Sequence, residues 1–306
     1  GNALIILFLA ALVLAAGEIY YRFFYDATDS YMMSKTSLRW EQRHYQLNAS
    51  GFRDSIEYKW KIPAGKRRIT FLGDSFTAGH GIKDVEQRFA NRIRARNPGW
   101  EVHVMAKNGW ETGTHLEVLE DGLPPDYDCD LVVLVYCLND ISDLAPDYWI
   151  NIVERITQTW RPGPIVLESF FLDTYYHRIR MALDPDLRDY YGYVGQWYRG
   201  PVWNIQEARL RQIHQSIIQR GGTLLVVTFP FLQSVGPHYP FQAIHDQLDQ
   251  LWNHAEIPHL DLLTIFREFR PTQLVVNQFD AHPNKQAHAL AAEAIQSFIQ
   301  QHGAAP

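Results

Sequence analysis

Two short stretches of this sequence carry the residues best suited to chemistry. Ser75 lies in Gly-Asp-Ser-Phe-Thr-Ala-Gly (73–79), and Asp280 and His282 lie in Asp-Ala-His-Pro-Asn (280–284). A serine is a weak nucleophile until a base removes its proton, and a histidine whose ring is held by a carboxylate is such a base. The glycines allow a tight turn, and a backbone amide at a helix N-terminus can stabilise an oxyanion. The pattern therefore predicts nucleophilic catalysis by Ser75, with His282 as the base and Asp280 as its orienting partner.

The elements that must position these residues can be predicted from apolar runs. Each run predicts a buried parallel strand, because strands covered on both faces are apolar throughout. The runs are 69–72, 102–105, 131–136 and 224–229, with a weaker fifth at 259–263. Helical patterns lie between them, such as 89–97 and 208–219, and a final amphipathic helix follows Pro283-Asn284. This alternation predicts an α/β fold with a parallel sheet and helices on both faces. Ligands bind such sheets at the carboxyl ends of the strands, where Ser75 falls.

Two further motifs follow the second and third predicted strands. They are Lys-Asn-Gly (107–109) and Leu-Asn-Asp (138–140), which contain Gly109 and Asn139. In order along the chain, the four motifs resemble the four sequence blocks of the SGNH/GDSL hydrolase family. The resemblance covers residues 68–301 and implies a flavodoxin-like, three-layer α/β/α fold.

The resemblance also implies roles for these residues. Ser75 would be the nucleophile, His282 the base and Asp280 its orienting partner. The Ser75 amide, the Gly109 amide and the Asn139 side chain would form the oxyanion hole. This chemistry requires no cofactor and no metal, and we expect neither.

The sequence departs from the family pattern at two positions. One residue separates Asp280 from His282, whereas the last family block is usually Asp-x-x-His. Cys137 stands where the third block usually has glycine. The stretch Gly-Phe-Arg-Asp (51–54) looks like a feature of some membrane-tethered relatives, but the sequence suggests no mechanism for it.

The N-terminal segment is apolar enough to suggest a membrane helix. The unbroken apolar run Ala3–Ala16 would cover about 21 Å as a helix, short of the ~30 Å hydrocarbon core of a bilayer. Ile19, several aromatic residues and Arg22 extend it, so we expect one transmembrane helix over residues 1–25. A cleaved signal peptide and a buried core helix are the alternatives.

The distribution of basic residues bears on which side of the membrane the rest of the chain lies. Arg22, Lys35, Arg39 and Arg43 come after the apolar run, and the positive-inside rule would keep that side in the cytoplasm. The sequence begins with Gly rather than Met, and basic residues upstream of Gly1 would reverse this bias. We expect an extracytoplasmic, periplasmic catalytic domain.

The remaining chain divides into a connector and a hydrolase-like domain. We expect a connector over 26–66 and the domain over 67–306, interrupted by an aromatic-rich insertion at about 143–204. Sugar stacking, contact with a membrane surface and a small core of its own are all compatible with the insertion. Its rings are Tyr148, Trp149, Trp160, Tyr175, Tyr176, Tyr190, Tyr191, Tyr193 and Trp197.

Composition excludes some functions and leaves others open. A net charge of −6 argues against nucleic-acid binding. The two cysteines, Cys129 and Cys137, bracket a strand and would lie about 26 Å apart, too far for a disulfide.

The expected function is a membrane-anchored serine esterase that works through an acyl-enzyme. Its substrate would be an acylated carbohydrate, such as O-acetylated cell-surface polysaccharide, or a lipid ester. An acyltransferase with the same residues and a non-catalytic subunit of a larger membrane protein complex are the alternatives.

Overall fold

The computed structural model describes residues 2–145, 152 and 154–303. All five predicted strands are present within these residues and form one sheet; two further strands form a separate hairpin. The strands are β1 (Arg67–Gly73), β2 (Trp100–Ala106), β3 (Leu131–Cys137), β4 (Thr223–Phe229), β5 (His259–Asp261), β6 (Val275–Asn277) and β7 (Asp280–Pro283). The helices are α1 (Asn2–Ile19), α2 (Lys35–His44), α3 (Ser75–Ala78), α4 (Phe89–Arg96), α5 (Thr112–Glu117), α6 (Arg155–Thr159), α7 (Pro164–Glu168), α8 (Phe170–Leu183), α9 (Pro185–Arg188), α10 (Tyr190–Gly195), α11 (Gly200–Gln219), α12 (Gln242–His254), α13 (Leu263–Phe266), α14 (Pro271–Leu274) and α15 (Lys285–His302).

The sheet has the strand order β2-β1-β3-β4-β5, and every pair in it is parallel. All residues of β3, the central strand, are buried, which explains its continuous apolar sequence. Gly73 at the end of β1 lies opposite Ala106 on β2 and Val135 on β3. The chain segments that follow these three strands therefore leave the sheet at the same edge.

Helices pack on this sheet in two groups, α4 with α15 and α5 with α11. The predicted α/β architecture with a parallel sheet and flanking helices is confirmed. The last helix begins where the sequence predicted, because the Asn284 side chain accepts hydrogen bonds from the amides of Gln286 and Ala287 at 2.9 and 3.0 Å.

The hairpin formed by β6 and β7 was not predicted from the sequence. It is antiparallel, with Asn277 paired to Asp280 and Val275 paired to Pro283. Both strands are short, and neither has an apolar run long enough to identify it. The hairpin matters because β7 carries Asp280 and His282.

The described residues pack into two compact units. One contains residues 2–45 and 154–190, and the other contains residues 46–145 and 191–303, including the sheet. The packing thus groups the first half of the expected connector with most of the aromatic insertion. The rings of Tyr21, Tyr25, Phe171 and Tyr175 pack against one another in the first unit. Tyr148 and Trp149 lie outside the described residues.

The N-terminal segment is a continuous helix whose residues 3–16 are all apolar. It extends over Asn2–Phe24, 23 residues with a mean hydropathy of 2.4 in its most apolar window. No residue of α1 is buried. The segment is long and apolar enough to cross a bilayer, and a signal sequence has the same properties.

Candidate active site

Ser75 is the first residue of α3, at the carboxyl end of β1. The preceding Asp74 caps this helix, because its side chain accepts a hydrogen bond from the Phe76 amide at 2.9 Å. Gly73 has no room for a side chain: an added Cβ would lie 2.3 Å from Thr77 Oγ1 and 2.9 Å from the Val135 carbonyl oxygen. The strand-to-helix turn therefore depends on glycine at position 73, and it leaves Ser75 only 8% exposed at the edge of the sheet.

The structure brings Ser75, His282 and Asp280 into one chain of hydrogen bonds. Ser75 Oγ lies 2.9 Å from His282 Nε2, and His282 Nδ1 lies 2.6 Å from Asp280 Oδ1. The backbone amide of His282 also donates to Asp280 Oδ1, at 3.1 Å. Asp280 and His282 are two residues apart on β7, so their side chains share one face of the strand. An extended backbone thus makes an Asp-x-His spacing sufficient for the contact.

Asp280 is a buried anion. It is 1% exposed, and burial alone would raise the pKa of its carboxyl group. The neighbouring His282 and His80 outweigh that effect and hold the pKa of Asp280 well below its usual range. The carboxylate is therefore charged at neutral pH and can stabilise a protonated His282.

The two other residues expected at this site follow β2 and β3. Gly109 is exposed, in a turn closed by a hydrogen bond from the Trp110 amide to the Lys107 carbonyl oxygen at 3.3 Å. Its φ of +76° suits the third position of a type II turn, which favours glycine. Asn139 is half-buried after β3, and its side chain favours the charged form of Asp74, the neighbour of Ser75, and so lowers the pKa of that carboxyl.

Comparison with known proteins identifies the family. The model of the GDSL-like lipase/acylhydrolase family matches residues 71–290. The chain belongs to this family. The resemblance predicted from the four sequence motifs is thereby confirmed. No curated protein matches the chain.

Solved structures of similar proteins match most of the chain at low identity. An acetylxylan esterase, Axe2 from Geobacillus stearothermophilus, is 15% identical, with a TM-score of 0.47, and the match covers 78% of this chain and 96% of that chain. A lipolytic G-D-S-L family protein from Veillonella parvula is 13% identical, with a TM-score of 0.45, and the match covers 77% and 97% of the two chains.

Beyond the motifs of the GDSL-like family, the structure adds His80 to the site. This buried residue lies in the loop after α3, and its Nε2 is 3.4 Å from Asp280 Oδ2. The Asn108 amide donates to His80 Nδ1 at 3.0 Å, which assigns the ring proton to Nε2, facing Asp280. Asp280 is thus held between two imidazoles. A histidine five residues after Ser75 was the available sequence signal, but its partner Asp280 is 200 residues away.

Arg53 accounts for the Gly-Phe-Arg-Asp stretch to which the sequence assigned no mechanism. Its buried guanidinium donates hydrogen bonds to the carbonyl oxygens of Ala78, Gly79 and Ile82. These carbonyls flank the left-handed residue Gly79, whose φ is +76°, and the loop that carries His80. Arg53 therefore fixes the conformation of the chain that follows Ser75.

Asp54, the next residue, anchors this arrangement to α4. Its carboxylate lies 3.2 Å from Arg88 Nη2 and 2.7 Å from Arg94 Nη2, and it accepts a hydrogen bond from the Tyr58 hydroxyl at 2.6 Å. Arg88 also donates to the Arg53 carbonyl oxygen at 2.9 Å. The buried charges are paired and hydrogen-bonded, as burial requires.

Two further carboxyl groups beside the site have raised pKa values. Burial raises the pKa of Asp74 to about 7. Burial, followed by the nearby charge of Asp143, raises the pKa of Glu111 to about 8, so this side chain is protonated at neutral pH. Glu111 immediately precedes α5 and lies two residues after Gly109. No sequence pattern marks Glu111, because its burial is a tertiary property.

Within the described part of the chain, the side chains nearest to a metal-ligand set belong to this same site. His80, Asp280 and His282 each offer a ligand atom, and these atoms lie within 4.8 Å of one another. In the structure they face one another and Ser75 in the contacts described above. The arrangement suits proton transfer between these side chains.

Proposed function

We propose that this member of the GDSL-like family is a serine esterase that works through an acyl-enzyme, with Ser75 as the nucleophile. The observation that carries the proposal is the continuous chain of hydrogen bonds from Ser75 Oγ through His282 to the buried carboxylate of Asp280. A nucleophile, a base and an orienting anion in this order are the groups that acyl transfer requires.

In the proposed reaction, Ser75 Oγ attacks the carbonyl carbon of an ester and its proton passes to His282 Nε2. Asp280 stabilises the imidazolium through Nδ1–H. The oxyanion accepts hydrogen bonds from the Ser75 amide, the Gly109 amide and the Asn139 side-chain amide. His282 then gives its proton to the leaving alcohol. Water, deprotonated by His282, releases the acid from Ser75 and restores the enzyme.

We further propose that α1 anchors the enzyme in a membrane and that the catalytic domain is periplasmic. The support is the length and apolarity of this helix, in which no residue is buried. An anchored esterase would meet O-acetylated cell-surface polysaccharide or lipid esters, and we propose these as the substrate classes. Flotation of the full chain with liposomes at alkaline pH tests the anchor. Recovery of the chain in the soluble fraction would refute it.

The catalytic proposal is tested with the full chain in detergent. Wild type should hydrolyse p-nitrophenyl acetate and react with a fluorophosphonate probe, whereas Ser75→Ala should do neither. His282→Ala should lose hydrolysis and label far more slowly. If folded wild type neither hydrolyses the ester nor reacts with the probe, the proposal is wrong.

Release of acetate from acetylated polysaccharide, or of fatty acid from lipid esters, then separates the substrate classes. Transfer of the acyl group to a sugar in place of water would identify an acyltransferase.

A further inference from the structure

The unit that contains α1 exposes apolar side chains where α7 meets α8. We call residues 164–171 the α7–α8 corner. Ile165 is 79% exposed and Leu167 is 46% exposed. Single exposed apolar residues are common on protein surfaces, so exposure alone does not identify a binding surface. The position of these two residues relative to α1 is the informative observation.

The corner is attached to the last turns of α1. The Glu18 carboxylate accepts hydrogen bonds from the Ser169 hydroxyl at 2.6 Å, the Phe170 amide at 3.2 Å and the Phe171 amide at 3.0 Å. Gly17 lies against the Phe171 ring so closely that an added Cβ would approach it to 2.9 Å. The start of α8 is therefore held at the level of residues 17 and 18.

If α1 spans a bilayer, residues 17 and 18 lie within the hydrocarbon core. From Asn2 to Gly17 the helix rises about 23 Å, less than the ~30 Å of the hydrocarbon core. The remaining thickness is bordered by exposed side chains of the same helical segment, Phe23 (66%) and Phe24 (69%). The α7–α8 corner contacts Gly17, Glu18 and Arg22, so it lies at the level where the apolar run of α1 ends.

Polar groups in this layer have partners within the unit. Glu18 pairs with Arg22 at 2.6 Å, and its carboxylate satisfies the first amides of α8. Arg22 donates to the Glu168 carbonyl oxygen at 2.9 Å, and Lys35 donates to the Leu167 carbonyl oxygen. A chain that enters the edge of a bilayer must satisfy its backbone groups in this way.

The charge around the corner fits a lipid headgroup layer. Arg22, Lys35 and Arg39 lie around the Phe170 ring, with their charged groups 4.9, 5.4 and 4.7 Å from its centroid. Long basic side chains beside an aromatic ring are typical of the membrane interface, where the cations reach lipid phosphates and the ring remains among acyl chains.

We propose that the α7–α8 corner is a second membrane contact, in which Ile165 and Leu167 insert into the interface of the leaflet that α1 leaves. The bound surface is a bilayer with anionic lipid headgroups. This proposal rests on the proposed membrane anchor, and it assigns a function to part of the aromatic-rich insertion. A contact of this kind would fix the rotation and tilt of α1, which one helix alone leaves undetermined.

The structure supplies a matched control on the same unit. Ile179 is 54% exposed on α8, eight residues beyond Phe171. The Tyr21 and Tyr175 rings pack at 5.7 Å, and Arg178 hydrogen-bonds to the Tyr25 hydroxyl, so α8 runs alongside the end of α1 in the same direction. Ile179 therefore lies about 12 Å farther along that direction than Phe171, on the water side.

The test uses the full chain in vesicles of phosphatidylcholine and phosphatidylglycerol. Ile165→Cys and Ile179→Cys are spin-labelled separately; Cys129 and Cys137 are buried and should not react. Collision with oxygen, which concentrates in lipid, and with a water-soluble nickel complex is then measured. We expect the oxygen-to-nickel ratio at position 165 to exceed that at position 179 several-fold.

Each other outcome overturns the proposal. Equal ratios at the two positions would place the corner in water. Low collision rates with both reagents at position 165 would show that protein covers it, either a second copy of this chain or a folded-back segment. Flotation of the same labelled samples reports on α1 separately, so that a failed anchor is distinguished from a corner that does not insert.

Discussion

Replacement of Asp280 by asparagine tests whether the negative charge of Asp280 stabilises a protonated His282. The carboxylate is 1% exposed and lies 2.6 Å from His282 Nδ1. Asparagine has nearly the same shape, but its amide is neutral. Its NH₂ group, which cannot accept a hydrogen bond, must also face one of the two N–H groups beside Asp280, His282 Nδ1–H or His80 Nε2–H.

The expected loss follows from electrostatics. Two unit charges about 4 Å apart interact by about 4 kcal/mol at an effective dielectric constant near 20. The imidazolium forms only as the serine proton is transferred, so its stabilisation is lost from the transition state and not from the bound substrate. We therefore expect Asp280→Asn to lower kcat about 10³-fold. KM should change little.

The assay is p-nitrophenyl acetate hydrolysis by the full chain, with circular dichroism to show that the variant folds. His282→Ala is the control, because it removes the proposed base itself and should be at least as damaging. A folded Asp280→Asn variant whose kcat falls less than about tenfold would refute the reasoning, since its lost stabilisation would be below about 1.4 kcal/mol.

Substitutions at four other residues probe the surroundings. His80→Leu should lower kcat about tenfold without changing KM, because Asp280 loses the polar contact with His80 Nε2 at 3.4 Å, worth about 1.5 kcal/mol; His80→Gln, which keeps a donor, should retain more activity. In wild type, kcat/KM should decline above pH 8 as Glu111, whose pKa is about 8, becomes an anion beside the proposed oxyanion hole; the decline should be absent in Glu111→Gln. Arg53→Lys should lower the free energy of unfolding by about 2 kcal/mol in urea titrations, since a compact ammonium cannot reach carbonyls that two separate nitrogens of the planar guanidinium now bind; an unchanged midpoint would contradict this role of Arg53. Burial lowers the pKa of His103 to about 3, so between pH 6.5 and 4 the unfolded chain binds the extra proton and stability falls on acidification; His103→Gln should reduce this slope by about 1.4 kcal/mol per pH unit, measured by denaturation at several pH values.

The sequence alone determined the sheet and the identity of its edge residues. Strands buried on both faces must be apolar, so β1 to β4 were visible as runs, and the motifs that follow β1, β2 and β3 placed Ser75, Gly109 and Asn139 at one edge. Local signals also marked the start of α15, because helix capping depends on residues only a few positions apart.

Other features were decided only by the tertiary structure, because they depend on contacts distant in sequence. His80 acquires its place beside Asp280 when the loop after α3 meets β7, 200 residues later. The raised pKa of Glu111 is a consequence of burial, and no local pattern records burial at a helix terminus. The grouping of residues 2–45 with 154–190 likewise depends on pairings such as Glu18 with the start of α8. A sequence specifies periodicity and local turns directly, whereas the partner of a polar side chain is chosen by the folded chain as a whole.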